Sequence, residues 1–163
     1  MVIAGSKYVD GQGWVLAPRG THTHTFIYLH GFDYDAREYA KIPDCFFQGR
    51  HTPYPGLKVV CLEAPVVPIT VYGGKQMRAW YDYLTDHEGS AEDDLGPESL
   101  AETAKRVHAV IRAEATALGG AKRVLVGGCS QGAGAALHCV ATYVCSKLER
   151  MFISFSNLFL INC

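Results

Sequence analysis

Apolar positions along this chain recur with two different periods. Three short runs are continuously apolar: 25–29 (TFIYL), 57–62 (LKVVCL) and 123–126 (RVLV). Each is rich in Val, Ile, Phe or Tyr and is bracketed by Gly or Pro, which predicts strands. Unbroken rather than alternating hydrophobicity predicts burial on both faces, as in a parallel sheet. An earlier run, 13–17 (GWVLA), predicts an antiparallel edge strand ahead of the turn at Pro18 to Gly20.

Between these strands the period lengthens. Leu100, Ala104, Val107, Ile111, Ala115 and Leu118 recur at spacings of 4, 3, 4, 4 and 3, an apolar helical stripe. Pro97 suits a first helical position, and Glu98 and Glu102 lie where the helix dipole favours acid. Gly119 and Gly120 stop the helix. Weaker patterns predict helices over 35–47 and from about 76 to 86, and a last one after Ser130. Strand and helix alternate, which is an α/β arrangement in one domain over 1–163. The acidic stretch 87–96 reads as a loop.

Composition narrows the function classes. Hydrophobic residues are 48% and charged residues 19%, too apolar for a disordered chain. The net charge of -1 lacks the basic footprint of a nucleic-acid binder or a polybasic membrane anchor. The six cysteines form no CxxC pair and no zinc-ligand spacing, so they read as thiols of a reducing compartment. No apolar run reaches transmembrane length, and the first ten residues carry no signal-peptide pattern. The expected location is the cytoplasm.

The sharpest local signal is VLVGGCSQGAGAAL, residues 124–137. A buried strand ends, a Gly-rich turn follows, and a small-residue helix begins. Within it lies G-x-S-x-G: Gly128, Cys129, Ser130, Gln131, Gly132. A nucleophilic serine needs a sharp strand-to-helix turn that lifts its hydroxyl above the sheet. Small neighbours let strand and helix pass closely. The N–H of Gln131, at the helix start, has no intrahelical partner and is free to serve an oxyanion. A phosphate loop fits less well, since Ala133 stands where Lys is needed and Gly134 where Ser or Thr is needed.

Three motifs together resemble the acyl-protein thioesterase, carboxylesterase and lysophospholipase family of α/β-hydrolases. FIYLHGFDYDA (26–36) is similar to the family's strand and H-G-φ-G-D loop. LEAPVVPITVYGGKQMRAWYDY (62–83) resembles its A-P-x-x-P-V-T-x-N-x-G-x-x-M-x-x-W-F-D run. The elbow is similar to its G-G-F-S-Q-G-G. The resemblance implies an α/β-hydrolase fold, a mostly parallel sheet with helices on both faces. It implies Ser130 as nucleophile, with Phe32 and Gln131 supplying the oxyanion-hole N–H groups. His30 is implied to be structural. Trp80 and Asp82 match the W-F-D positions, and Met77 and Trp80 either wall a substrate groove or simply pack on the sheet. Three positions depart from the pattern: Tyr72 replaces Asn, Cys129 replaces an apolar residue such as Phe, and Asp33 directly follows Phe32. The implied substrates are acylated proteins, lysophospholipids or small esters, with no cofactor and no metal.

The triad is not complete in these residues. An α/β-hydrolase presents Ser, then Asp or Glu, then His. The 33 residues after Ser130 hold no Asp, one Glu (Glu149) and one His (His138). Eight positions along one helix place His138 about 12 Å from Ser130 along the axis, too far for a base. The apolar tail 151–163 (MFISFSNLFLINC) reads as either a further strand or unrelated sequence. These observations predict a domain lacking its last strands. The rival to a serine esterase is therefore a catalytically dead remnant that keeps only an acyl-binding groove.

Overall fold

The computed structural model describes residues 6–10, 12–39, 54–88, 90–91 and 93–148. Among the described residues, five strands form one sheet: β1 (Ser6–Val9), β2 (Gly13–Leu16), β3 (His24–Leu29), β4 (Leu57–Leu62) and β7 (Val124–Gly128), in the order β1-β2-β4-β3-β7. A hairpin of β5 (Val66–Ile69) and β6 (Lys75–Arg78) stands apart from it. The α-helices among the described residues are a single turn, α1 (Ala36–Tyr39), then α2 (Pro97–Leu118) and α3 (Gln131–Leu148).

The three continuously apolar runs are the three parallel strands. β3 pairs in parallel with β4 on one side and with β7 on the other. Their alternate residues face two cores. Ile27, Leu29, Val60, Leu62 and Val126 pack with Val107, Ile111, Ala135 and Cys139 of α2 and α3. Tyr28, Val59 and Cys61 pack on the opposite face with Leu16 and with Ala36 of α1. Helical residues thus pack against both faces, and of the positions in the three parallel strands only His24 is exposed. Burial pushes the Cys61 and Cys139 thiols up to about 12, so both stay protonated fillers of these cores.

Helix α2 keeps its sequence-derived ends. Pro97 opens it, and Gly119 closes it at φ 72 with its N–H on the Ala115 and Thr116 carbonyls. One buried position is not apolar. Glu114, 4% exposed, accepts from Lys58 Nζ at 2.5 Å and from Thr25 Oγ1 at 2.8 Å. This ion pair pins α2 to the starting ends of β3 and β4.

Two expectations are corrected. The 13–17 run forms β2, antiparallel to β4, but β1 pairs outside it, so β2 is not the edge. The helix expected over 76–86 does not form. Residues 75–78 are instead β6, in register with β5 from Val66↔Arg78 to Ile69↔Lys75. Pro65 and Pro68 hold the first arm extended, and Gly73 and Gly74, at φ 64 and 81, turn the chain. After β6, the backbone of 79–81 bonds to distant groups rather than to itself. Ala79 N–H donates to the Pro65 carbonyl, and Gln131 and Thr103 take the polar groups that follow. For the helix expected over 35–47, α1 covers only its start, and the remainder lies outside the described residues, as does the 151–163 tail.

Candidate active site

The parallel strands β3, β4 and β7 all end on the same side of the sheet, and every candidate site residue lies there. β4 lies to one side of β3 and β7 to the other, with α1 and α2 on opposite faces. The crevice beyond the carboxyl end of β3 is thus the point where connections diverge, the usual ligand site of open α/β sheets.

The elbow is built by close approach. Leu29 is the register partner of Gly128, and the Leu29 carbonyl accepts the Cys129 N–H at 3.1 Å. A Cβ on Gly128 would collide with the Gly132 backbone and the Leu29 carbonyl oxygen. A Cβ on Gly132 would collide with the carbonyls of Leu29 and His30. Only glycine lets helix α3 start this near the end of β3. The chain turns on Ser130, an exposed residue at φ 50, a left-handed conformation unusual for a side chain other than glycine, Asn or Asp. The Gly132 N–H returns to the Cys129 carbonyl at 2.9 Å, and the Ala133 N–H to that of Ser130 at 2.9 Å. Gln131 then opens α3, where its N–H has no helical acceptor.

The loop after β3 is held as firmly. Tyr34 N–H donates to the Gly31 carbonyl at 3.4 Å, closing a turn over Phe32 and Asp33. Asp33 sits at φ 57, and its N–H donates to the Arg78 carbonyl at 2.8 Å. The turn needs a left-handed residue here, and Asp adopts that conformation more readily than most. The missing glycine of the loop therefore leaves the turn itself intact. Phe32 is half-buried, its ring 6.1 Å from that of Tyr72 and 5.5 Å from that of Tyr83.

His30 is a structural histidine. It is fully buried, its Nε2 accepts the Ala64 N–H at 3.0 Å, and its Nδ1 lies 2.7 Å from the Gly31 carbonyl. An accepting Nε2 puts the ring proton on Nδ1, which donates to Gly31. Burial lowers its pKa below the ordinary histidine range, so the ring is neutral. With both nitrogens engaged, it has none to offer Ser130. His138 lies in α3, as its spacing predicts. His108 bonds the Cys139 carbonyl at 2.7 Å and so ties α2 to α3.

Trp80 is packed into the fold: it is 1% exposed, its indole N–H donates to the His30 carbonyl at 2.7 Å, and its ring lies 5.2 Å from the imidazole. Met77, half-buried on β6 opposite Val67, keeps some exposed surface. Asp82 fastens the hairpin, its carboxylate accepting the Thr70 N–H at 2.7 Å and the Thr70 hydroxyl at 2.5 Å. The Gln131 side chain has a role that the motif did not announce. Its Oε1 accepts the Trp80 N–H and its Nε2 donates to the Tyr81 carbonyl, both at 2.9 Å. A polar residue 2% exposed must be so satisfied, and the glutamine next to a serine elbow was the available sequence cue.

A strand, a left-handed serine and a helix on this mixed sheet define an α/β-hydrolase fold. Within that fold, the chain belongs to the phospholipase/carboxylesterase family, whose model matches residues 11–162. An acyl-protein thioesterase 1 of Schizosaccharomyces pombe is 32% identical over 130 residues, 79% of this chain and 54% of the relative. An acyl-protein thioesterase 1 homolog of Dictyostelium discoideum is 27% identical over 129 residues, 78% of this chain and 54% of the relative. The crystal structure of Zea mays acyl-protein thioesterase 2 superposes with a TM-score of 0.66 at 27% identity, covering 91% of this chain and 59% of that one. The chain thus spans about half the length of the curated relatives it matches.

Proposed function

We propose that this protein is a serine hydrolase of carboxylic esters or thioesters, acting in the cytoplasm on acylated proteins, lysophospholipids or small esters. The observation that carries the reading is Ser130 at φ 50 between β7 and α3, seated by two glycines that no other residue can replace. Ser130 Oγ attacks the acyl carbonyl, and its proton passes to a base. The N–H groups of Phe32 and Gln131 stabilise the oxyanion, the acyl-enzyme forms as the alcohol or thiol leaves, and water releases the acid. His30 and His108 are engaged elsewhere and His138 is two turns along α3, so none of these three is the base. No metal or cofactor takes part in this scheme. The relatives' names support a thioester substrate.

The second reading is a non-catalytic acyl-binding remnant: residues 131–163 hold no Asp to orient a base. A fluorophosphonate probe separates the two. Applied to the protein at the length at which cells make it, the probe is expected to modify Ser130 alone, and Ser130→Ala to abolish the label. Folded protein that takes no label at Ser130 would establish the remnant reading instead. The 163-residue chain by itself is expected to turn over p-nitrophenyl esters no faster than its Ser130→Ala variant, because a nucleophile without its base retains little.

A further inference from the structure

The two candidate oxyanion donors come from different loops, and one short segment braces both. Phe32 follows β3, and Gln131 follows β7. Between them in space runs 78–81, the chain that leaves β6. Its Arg78 carbonyl accepts the Asp33 N–H at 2.8 Å, one residue beyond Phe32. The Trp80 indole N–H donates to the His30 carbonyl at 2.7 Å, two residues before Phe32. On the other side, the Trp80 N–H and Tyr81 carbonyl are both taken by the Gln131 side chain at 2.9 Å. The Thr103 hydroxyl donates to the Trp80 carbonyl and so ties the segment to α2. Trp80, His30 and Gln131 are each 2% exposed or less, so water does not replace these bonds.

We propose that Trp80 is a positioning residue for the oxyanion hole. Through its indole N–H and its backbone bond to the Gln131 side chain, it sets the distance between the Phe32 and Gln131 N–H groups. This rests on the hydrolase reading above. An oxyanion hole works only when both donors already sit about 3 Å from where the charge will develop. Strand pairing fixes Leu29 against Gly128, but the donors lie three residues beyond each, where the ladder no longer holds them. The 78–81 segment supplies the missing constraint. The indole nitrogen, not the bulk of the ring, carries this role, which separates it from simple core packing.

The test removes that one donor. Trp80→Phe keeps an aromatic ring and deletes the N–H. Gln131→Met keeps the length of the side chain and the backbone donor but deletes the amide. In amide hydrogen exchange on the 163-residue chain, both variants are expected to accelerate exchange at Asp33 at least about tenfold. Ile27 and Val60, deep in the sheet, should keep wild-type rates. In the native-length protein, kcat for an ester is expected to fall roughly 10- to 100-fold with KM within about twofold, the pattern of a misplaced donor. Unchanged exchange at Asp33, or equal acceleration at Ile27 and Val60, would overturn the proposal, as would an unaltered kcat in folded Trp80→Phe protein. Failure of the wild type to take the probe at Ser130 would overturn the hydrolase reading itself, and that result is read without either variant.

Discussion

The carbonyl of Leu29 accepts the N–H of Cys129 at 3.1 Å, one bond beyond the last register pair of β3 and β7. That bond carries the parallel ladder past the strand ends and brings Ser130 beside the loop of Phe32. It also leaves no room above Leu29, which the first glycine of α3 passes in near contact.

Gly132→Ala is expected to be strongly damaging. Its methyl would press into the backbone oxygens of Leu29 and His30, which are held by the sheet and by Trp80. Overpacking against backbone that cannot retreat is expected to cost roughly 2–4 kcal/mol. Urea denaturation followed by circular dichroism reads it. Gly134→Ala, whose nearest neighbour is the Tyr81 hydroxyl at 3.1 Å, is expected to lose far less, because that neighbour is a side-chain tip.

Stability should fall in mild acid because of His30. Its folded pKa lies below the ordinary value of 6.5, chiefly through burial, so the unfolded chain binds the extra proton first. Stability therefore rises with pH up to the unfolded value and is lost as pH drops below about 6.5, with a slope of at most about 1.4 kcal/mol per pH unit from this group. Urea midpoints at pH 7.5 and 5.5 should differ in that direction. His30→Gln, which cannot titrate, should show a flatter profile though lower stability throughout. An equal slope in both proteins would assign the acid sensitivity to other groups.

Glu114→Leu should destabilise more than its loss of charge suggests. It strands Lys58 beneath α2 and leaves the Thr25 hydroxyl only His22 Nε2, at 2.8 Å, where the carboxylate now accepts from both Lys58 and Thr25. A loss of about 2–4 kcal/mol is expected, less than for a fully enclosed pair because the Lys58 side chain remains 21% exposed. Adding Lys58→Met should restore part of it, since two apolar groups leave no unpaired charge. A thermal melt of the two single variants and the double variant measures the coupling directly.

Much of this was legible along the chain. The apolar runs at 25–29, 57–62 and 123–126 became the three parallel strands because a run without polar alternation has only doubly covered sheet positions to occupy. The stripe of α2 and its Pro and Gly ends needed no tertiary help. The elbow was legible too, because G-x-S-x-G between a strand and a small-residue helix already contains its steric logic. The segment 76–86 was not. Its local pattern suits a helix, yet the prolines and paired glycines before it fold β5 on β6. The backbone polar groups of 79–81 then go to Gln131, Thr103 and Pro65, residues up to 51 positions away. The place of Trp80 likewise depended on contacts no spacing encodes. Short-range pattern determines which backbone groups pair within a strand or helix. Which loops meet beyond the strand ends, and which buried polar atom satisfies which, depends on the assembled fold.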